Sequence, residues 1–200
     1  MKNLVVLISH AGTGSNLQAI LDAIKAKKIN ATVQTVISDK EDAKGLEKAK
    51  NYNIPSLICQ SKENLLPILY KLQPDYVVLA GWKQIISEEV IDSYPNKILN
   101  LHPGIIPDTM DGTMKNPDGT DALWNKGMFT DIAIRNILSN KATYAGSSIH
   151  VLTHEFDFGP VLERTFEKTE PSDTIETLYA RLKQKENKLY VEVLIKLCNR

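Results

Sequence analysis

Hydrophobic residues in this chain occur either in short continuous runs or in stripes with a helical period. A continuous apolar run, such as residues 4–8, is typical of a strand buried on both faces of a parallel sheet. Leu17, Ile20, Leu21 and Ile24 recur at the spacing of a helix with one buried face. Runs and stripes alternate along the chain, which predicts an α/β fold with a Rossmann-like, mostly parallel sheet flanked by helices.

The same pattern predicts where the elements lie. Strands are expected at residues 4–8, 32–38, 56–59, 76–80 and 98–101, with helices between them at 16–25, 43–50, 62–72 and 88–93. After residue 101 we expect short helices at 121–126 and 132–138, a C-terminal antiparallel addition of strands at 147–152 and 161–167, and a long C-terminal helix at about 174–197. All of these elements fit one domain over residues 1–200.

Composition and charge exclude several classes of function. The 24 basic and 24 acidic residues cancel, so there is no electrostatic case for binding nucleic acid or an anionic membrane. The first apolar run is too short to span a bilayer, and two cysteines are too few for a disulfide framework. We therefore expect a cytoplasmic protein with small-molecule substrates, present as a monomer or a homodimer.

Residues suited to carbonyl chemistry stand at the end of the fifth predicted strand. Asn100 and His102 project from one face of that strand, which Pro103 and Gly104 bring to an end. Asp157 lies on a later Gly-Pro turn and could reach the imidazole. An amide for an oxyanion, an imidazole for a proton and a carboxylate to tune it suit acyl transfer. The residue types alone also allow structural roles for all three.

A turn with two glycines follows the first strand. Gly12 and Gly14 would let backbone amides approach an anion at a helix N-terminus. Asp39 ends the second strand, where a Rossmann protein binds the ribose of a dinucleotide. Leu17, however, stands where the third glycine of that fingerprint would be. The missing glycine weakens the dinucleotide interpretation, and the turn by itself indicates only an anion-binding site.

Three stretches together resemble the folate-dependent formyltransferases: Asn100-Leu101-His102-Pro103, Gly146-Ser147-Ser148-Ile149-His150, and the stretch from His154 to Leu162 around Asp157. Within that family the chain is most similar to the enzymes that formylate glycinamide ribonucleotide in purine biosynthesis. The resemblance implies that 10-formyltetrahydrofolate is the co-substrate and that the acceptor amine attacks its formyl carbon directly, through a tetrahedral intermediate. It also implies catalytic roles for Asn100, His102 and Asp157.

The resemblance implies binding residues as well. The phosphate and ribose of the acceptor would be bound by Gly14, Ser15, Asn16, Lys183 and Glu186. Folate would be bound by Lys62, Lys83, Gln84, Ile85, Ile86 and Asn100. No metal is implied, and His150 and His154 lack a nearby cysteine or acid at ligand spacing.

The resemblance fails over an atypical insertion at about residues 108–143. Its first part, residues 108–118, has no clear periodicity, and an uncovered loop of that length is more often a functional lid than a passive connection. Because it begins close to His102, it leaves other activities open. These are transfer to another amine, such as a nucleotide-linked amino sugar, hydrolysis of 10-formyltetrahydrofolate, and, less favoured, a dinucleotide-binding oxidoreductase or regulator.

Overall fold

The computed structural model describes residues 1–199, which form two compact units. Of the described residues, the first unit comprises 1–100 and 190–199, and the second comprises Leu101–Leu189. The strands are β1 (Lys2–Ile8), β2 (Ala31–Ser38), β3 (Ser56–Ile58), β4 (Tyr76–Leu79), β5 (Ile98–His102), β6 (Tyr144–Val151) and β7 (Val161–Lys168). The α-helices are α1 (Ser15–Lys25), α2 (Lys44–Asn51), α3 (Leu65–Leu72), α4 (Glu88–Ser93), α5 (Thr130–Ser139) and α6 (Ile175–Cys198), and a short 3-10 helix (Lys62–Asn64) precedes α3.

The first unit is built on parallel strands in the order β3-β2-β1-β4-β5. Strand β1 pairs on one side with β2 and on the other with β4, and its residues from Leu4 to Ile8 are buried. A strand in this position is covered on both faces by helices, which is why its sequence is a continuous apolar run rather than an alternating one.

Helices α1 and α6 both contribute to the core of this unit. Helix α1 buries Leu17, Ile20 and Leu21, the residues of the predicted stripe. The last part of α6 buries Tyr190, whose hydroxyl donates a hydrogen bond to the carbonyl of Leu79 at 2.7 Å. A buried phenol is usually stabilised by such a hydrogen bond.

In the second unit, β6 and β7 form an antiparallel pair. Ala145 of β6 packs with residues of α5 and of the first half of α6 in one buried cluster, which comprises Ile134, Ile137, Ala145, Leu178 and Leu182. The structure confirms the predicted fold class: a seven-stranded, mostly parallel sheet with a C-terminal antiparallel addition and a long C-terminal helix. No helix among residues 1–199 is long and apolar enough to cross a bilayer.

The helix predicted at residues 121–126 is wrong. Asp121 instead forms a β-bridge with Lys115, and the amide of Ala122 donates to the carbonyl of Met114 at 2.9 Å. The reversal between them is closed by Thr120, whose amide and hydroxyl both donate to the carboxylate of Asp118. An Asp-Gly turn that folds the chain back on itself uses the amides that a helix would need.

Candidate active site

His102 is the last residue of β5 and its side chain is only 2% exposed. Gly104 turns the chain immediately after it, with its amide donating to the carbonyl of His102 at 2.9 Å. Asn100, which is half-buried, lies two positions earlier on the same strand. Alternation along a strand gives Asn100 and His102 the same direction, as the sequence predicts.

Both ring nitrogens of His102 face oxygen atoms that can only accept a hydrogen bond. Nε2 lies 2.7 Å from the backbone carbonyl of Trp124, and Nδ1 lies 3.5 Å from Oδ1 of Asp157. A neutral imidazole carries one N–H and can donate to only one of them. The surroundings are therefore complementary to the doubly protonated, positively charged ring.

Asp157 lies in the turn between β6 and β7 with a left-handed backbone (φ 50°), a conformation that Asp tolerates better than most residues. The backbone amide of Gly127 donates to its Oδ2 at 2.7 Å. Burial by itself would raise the pKa of Asp157, but the hydrogen bond and charge of His102, together with the Gly127 amide, outweigh it and lower the pKa. Asp157 is therefore a carboxylate at neutral pH and the natural counter-ion of His102.

The backbone beyond His102 is held by Ser148, from the Gly-Ser-Ser-Ile-His stretch. Its buried hydroxyl donates to the carbonyl of Gly104 at 2.7 Å and accepts from the amide of Ile106 at 3.0 Å. A Cβ on Gly146 would lie 2.4 Å from the Ile105 side chain, so β6 needs a glycine there. Part of this motif thus supports the strand end that carries His102.

Trp124, Asn125 and Gly127 also belong to this site, although the sequence analysis did not identify them. Trp124 supplies the carbonyl that faces His102, and its indole Nε1 donates to the backbone carbonyl of Asp157 at 3.0 Å. Their one sequence signal is an aromatic residue followed by an Asn-Lys-Gly turn within the atypical insertion. That signal marks a turn but does not reveal its partners.

His150 is a second buried histidine near the pair, with 1% exposure. Its pKa is lowered to about 4, chiefly by burial and then by the neighbouring His102, while Asp157 and the carbonyl of Val151 act in the opposite direction. His150 is therefore neutral at physiological pH. His154 is exposed, and within residues 1–199 no three His, Cys, Asp or Glu side chains are grouped as metal ligands.

The predicted phosphate-binding residues lie at the start of α1, in the first unit. Gly14 has a left-handed backbone (φ 71°), and a Cβ there would lie 2.9 Å from the Cα of Gly45. Ser15 opens the helix, and Oδ1 of Asn16 is buried without a hydrogen-bond partner. Asn16 is half-buried, and its side-chain amide lies at the helix N-terminus with its buried oxygen unsatisfied.

Asp39 does not present its carboxylate as a ribose ligand would require. Oδ1 accepts the backbone amide of His10 at 2.8 Å, and Oδ2 lies 3.6 Å from Nδ1 of the same residue. Asp39 is buried and serves to hold the turn after β1. This use of the acid weighs against the dinucleotide interpretation.

The predicted folate-binding loop follows β4, and its residues have different surroundings. The amide of Lys83 donates to the hydroxyl of Ser9 at 2.9 Å, which ties this loop to the end of β1. Side-chain exposure ranges from 68% for Ile85 to 6% for Ile86, and Gln84 donates to the carbonyl of Gln60 at 3.4 Å. Both the backbone and some exposed side chains of this loop could therefore contact a ligand.

Two further residues flank this loop in the first unit. The indole Nε1 of Trp82 is buried without a partner, so a donor is available in the loop. Lys62 is exposed at the start of the 3-10 helix. Both are compatible with folate contacts, which stay a prediction.

Lys183 and Glu186 lie on α6, in the second unit. The ammonium of Lys183 is 5.2 Å from the centre of the Tyr179 ring. Glu186 is 3% exposed, its carboxylate accepts the hydroxyl of Ser147 at 2.6 Å, and burial raises its pKa. Glu186 therefore has a structural partner, and its predicted contact with ribose would require that this hydrogen bond be exchanged.

Known proteins resemble this chain over almost its whole length. A family model described as formyl transferase matches residues 2–194. The phosphoribosylglycinamide formyltransferase of Escherichia coli K12 is 35% identical over 96% of this chain and 85% of the relative. The chloroplastic protein of that name from Arabidopsis thaliana is 30% identical, and the match covers 98% of this chain and 65% of the relative. Glycinamide ribonucleotide transformylase 1 from Symbiobacterium toebii has a crystal structure that superposes with a TM-score of 0.84, at 30% identity, over 100% of this chain and 88% of that one.

Proposed function

The chain belongs to the formyl transferase family, and we propose that it transfers the formyl group of 10-formyltetrahydrofolate to the amine of glycinamide ribonucleotide, a step of purine biosynthesis. The observation that carries the proposal is the His102–Asp157 pair at the end of β5, with Asn100 two positions before it. A histidine paired with a carboxylate, on the same strand as an amide side chain, is suited to a reaction in which negative charge develops on a carbonyl oxygen.

Each of these residues has a distinct role in the proposed reaction. The acceptor amine attacks the formyl carbon directly and gives a tetrahedral intermediate. This intermediate collapses with cleavage of the bond to the folate nitrogen, and the proton lost by the attacking amine is balanced by the one gained by the leaving nitrogen, which releases tetrahydrofolate. The side-chain amide of Asn100 donates to the developing oxyanion, and the positive charge of His102 stabilises it. Asp157, whose Oδ1 lies 3.5 Å from Nδ1 of His102, pairs with the ring and orients it.

Proton transfer to the leaving nitrogen places one further demand on His102. Its Nε2–H is directed at the carbonyl of Trp124, 2.7 Å away. His102 can therefore donate to a substrate only if Nε2 exchanges that carbonyl for the substrate atom. Charge stabilisation needs no such exchange, because it acts through space.

The helix N-terminus at Gly14, Ser15 and Asn16 is the proposed phosphate site of the acceptor, supported by the buried Oδ1 of Asn16 that lacks a partner. An amide can be turned so that its Nδ2 occupies that position, and Nδ2 is a donor to phosphate. Lys183 and Glu186 would contact phosphate and ribose.

Folate would be held by the backbone of the loop that contains Lys83, Gln84, Ile85 and Ile86, with Lys62 near its tail. Asn100 would contact the formyl group. No metal has a role in this reaction.

We place the reaction in the cytoplasm, with small molecules rather than nucleic acid or membrane as partners. Cys59 and Cys198 are free and buried, as is usual in a reducing compartment. The proposal holds for a monomer and for a homodimer.

One assay tests the function. Purified protein is mixed with 10-formyltetrahydrofolate and glycinamide ribonucleotide, and loss of the formyl donor, formylation of the amine and free formate are measured. We expect formylated product in proportion to donor consumed. Formate released without acceptor would show a hydrolase, and turnover only with another amine would show a different acceptor. Either result would overturn the proposal.

Variants then test the assigned roles. Asn100→Ala should lower kcat by about 100- to 1,000-fold, as expected for the loss of one oxyanion donor. His102→Ala and Asp157→Asn should also reduce it by orders of magnitude. The matched control is His154→Ala, because this exposed histidine lies outside the pair and should leave kcat unchanged. Near-normal turnover of His102→Ala would refute the mechanism.

A further inference from the structure

The turn at residues 123–127, which we name the clamp turn, contacts both members of the His102–Asp157 pair. The carbonyl of Trp124 accepts Nε2 of His102 at 2.7 Å, and its indole Nε1 donates to the carbonyl of Asp157 at 3.0 Å. The amide of Gly127 donates to Oδ2 of Asp157 at 2.7 Å. The clamp turn therefore holds the imidazole ring of His102 by one hydrogen bond and Asp157 by two, one to its backbone and one to its carboxylate.

The clamp turn is itself anchored next to His102. The side-chain amide of Asn125 donates to the carbonyl of Pro103, the residue after His102, at 2.9 Å. The amide of Ile105 donates to the carbonyl of Leu123 at 2.9 Å. These two hydrogen bonds fix the position of the clamp turn relative to the end of β5.

Asn125 has a second anchor and an unusual backbone. Its Oδ1 accepts Nδ2 of Asn136 on α5 at 2.9 Å, so one buried side chain joins the turn to both a strand end and a helix. Its φ of 56° and that of Gly127, 77°, are left-handed values that favour Asn and Gly. The turn is shaped by its own sequence and does not depend on a substrate.

We propose that the clamp turn is a positioning element for formyl transfer, with Asn125 and the Trp124 indole as its positioning residues. They act through the Trp124 carbonyl and the Asp157 backbone and keep the charged ring of His102 paired with the carboxylate. This inference rests on the proposed function. It also assigns a role to part of the atypical insertion, residues 108–143: that part completes the support of the catalytic pair rather than only covering an acceptor.

Two variants loosen the turn without reshaping it. Asn125→Gly removes both side-chain hydrogen bonds and keeps a residue that accepts positive φ. Trp124→Phe removes the bond to the Asp157 carbonyl and keeps an aromatic ring near Phe158, whose centroid is 5.8 Å away. The matched control is Asn199→Ala, which also removes two side-chain hydrogen bonds, one to the carbonyl of Lys28 and one from the amide of Asn30, in the first unit and outside the insertion.

The first readout is spectroscopic and needs no turnover. An Nε2–H held by a carbonyl in a buried site should give a downfield proton resonance that exchanges slowly with water, and His102→Gln assigns it. We expect the signal in the unmodified protein and in Asn199→Ala. It should be broadened or lost in Asn125→Gly and Trp124→Phe, with unchanged overall fold by circular dichroism.

The second readout is the split between kcat and KM. Each of the two variants should lower kcat by about 10- to 100-fold, because small displacements of catalytic groups cost that much, with both KM values within about threefold of normal. A retained Nε2–H signal in both variants, or a fall in kcat no larger than in the control, would overturn the proposal. If the unmodified protein transfers no formyl group, loss of the signal in the variants still supports the clamp turn, while the proposed function fails.

Discussion

Gly104→Ala is expected to disrupt the contact between His102 and Trp124 directly. Gly104 is buried, and a Cβ added to it would lie 1.8 Å from the carbonyl oxygen of Trp124 and 3.0 Å from Nε2 of His102. Real Cβ atoms are essentially never closer than 3.0 Å to such atoms, so the carbonyl has to retreat by at least 1.2 Å, the difference between 3.0 and 1.8 Å. A shift of that size takes it out of hydrogen-bonding range unless the ring follows.

The size of the effect follows from two contributions. A buried hydrogen bond from a charged group is worth about 1.5–3 kcal/mol, and forcing an extra methyl into a packed site costs about 1–3 kcal/mol. We expect the free energy of unfolding to fall by about 3–5 kcal/mol in Gly104→Ala. For a chain of this length each kcal/mol corresponds to about 2–4 °C, so Tm should fall by roughly 6–20 °C.

Thermal unfolding followed by circular dichroism measures this fall. Gly112→Ala is the matched control, because its Cβ would meet chiefly the hydroxyl of Thr109, at 2.6 Å, which a side-chain rotation can move away. We expect the control to lose less than about 1 kcal/mol. The reasoning is refuted if the Tm of Gly104→Ala lies within 2 °C of the control's, a difference of about 1 kcal/mol or less in the free energy of unfolding, and the His102 Nε2–H signal is intact. The contact between His102 and Trp124 would then not depend on the close backbone approach at Gly104.

Three further predictions concern other parts of the chain. Asn16→Asp should raise the KM for the acceptor by about tenfold or more, because a carboxylate would repel the phosphate at that helix N-terminus, while the KM for folate stays constant. Equal changes in the two KM values would argue against the phosphate site. Replacing residues 109–119 by a short Gly-Ser linker should impair acceptor use more than donor binding, and unchanged kinetics would show the segment to be dispensable. Because the folded-state pKa of His150, about 4, lies below its usual 6.5, the unfolded chain binds more protons as pH falls from about 6.5 towards 4. Urea unfolding should therefore show about 3 kcal/mol of stability lost over that window, and less in His150→Gln; an equal loss in the variant would assign it to other groups.

The sequence by itself determined most of the strands and helices in their order along the chain, and the position of His102 at a strand end. An apolar run such as residues 4–8 or the stripe on α1 specifies its element locally, through the period of its buried positions. Pro103 and Gly104 end β5 for reasons of backbone chemistry alone, so His102 had to lie at a strand end. These features need no knowledge of distant parts of the chain.

Only the tertiary structure decided what surrounds that histidine. The segment expected to be helical at 121–126 forms a β-bridge and then the clamp turn, because the Asp118 turn directs its amides elsewhere. The carbonyl that meets His102 lies 22 residues away, and the indole that supports Asp157 lies 33 residues from it. A backbone carbonyl is present at every residue, so sequence cannot single out the one at Trp124. The carbonyl of Trp124 accepts this hydrogen bond because tertiary packing brings it, among many chemically equivalent backbone carbonyls, next to the buried ring of His102.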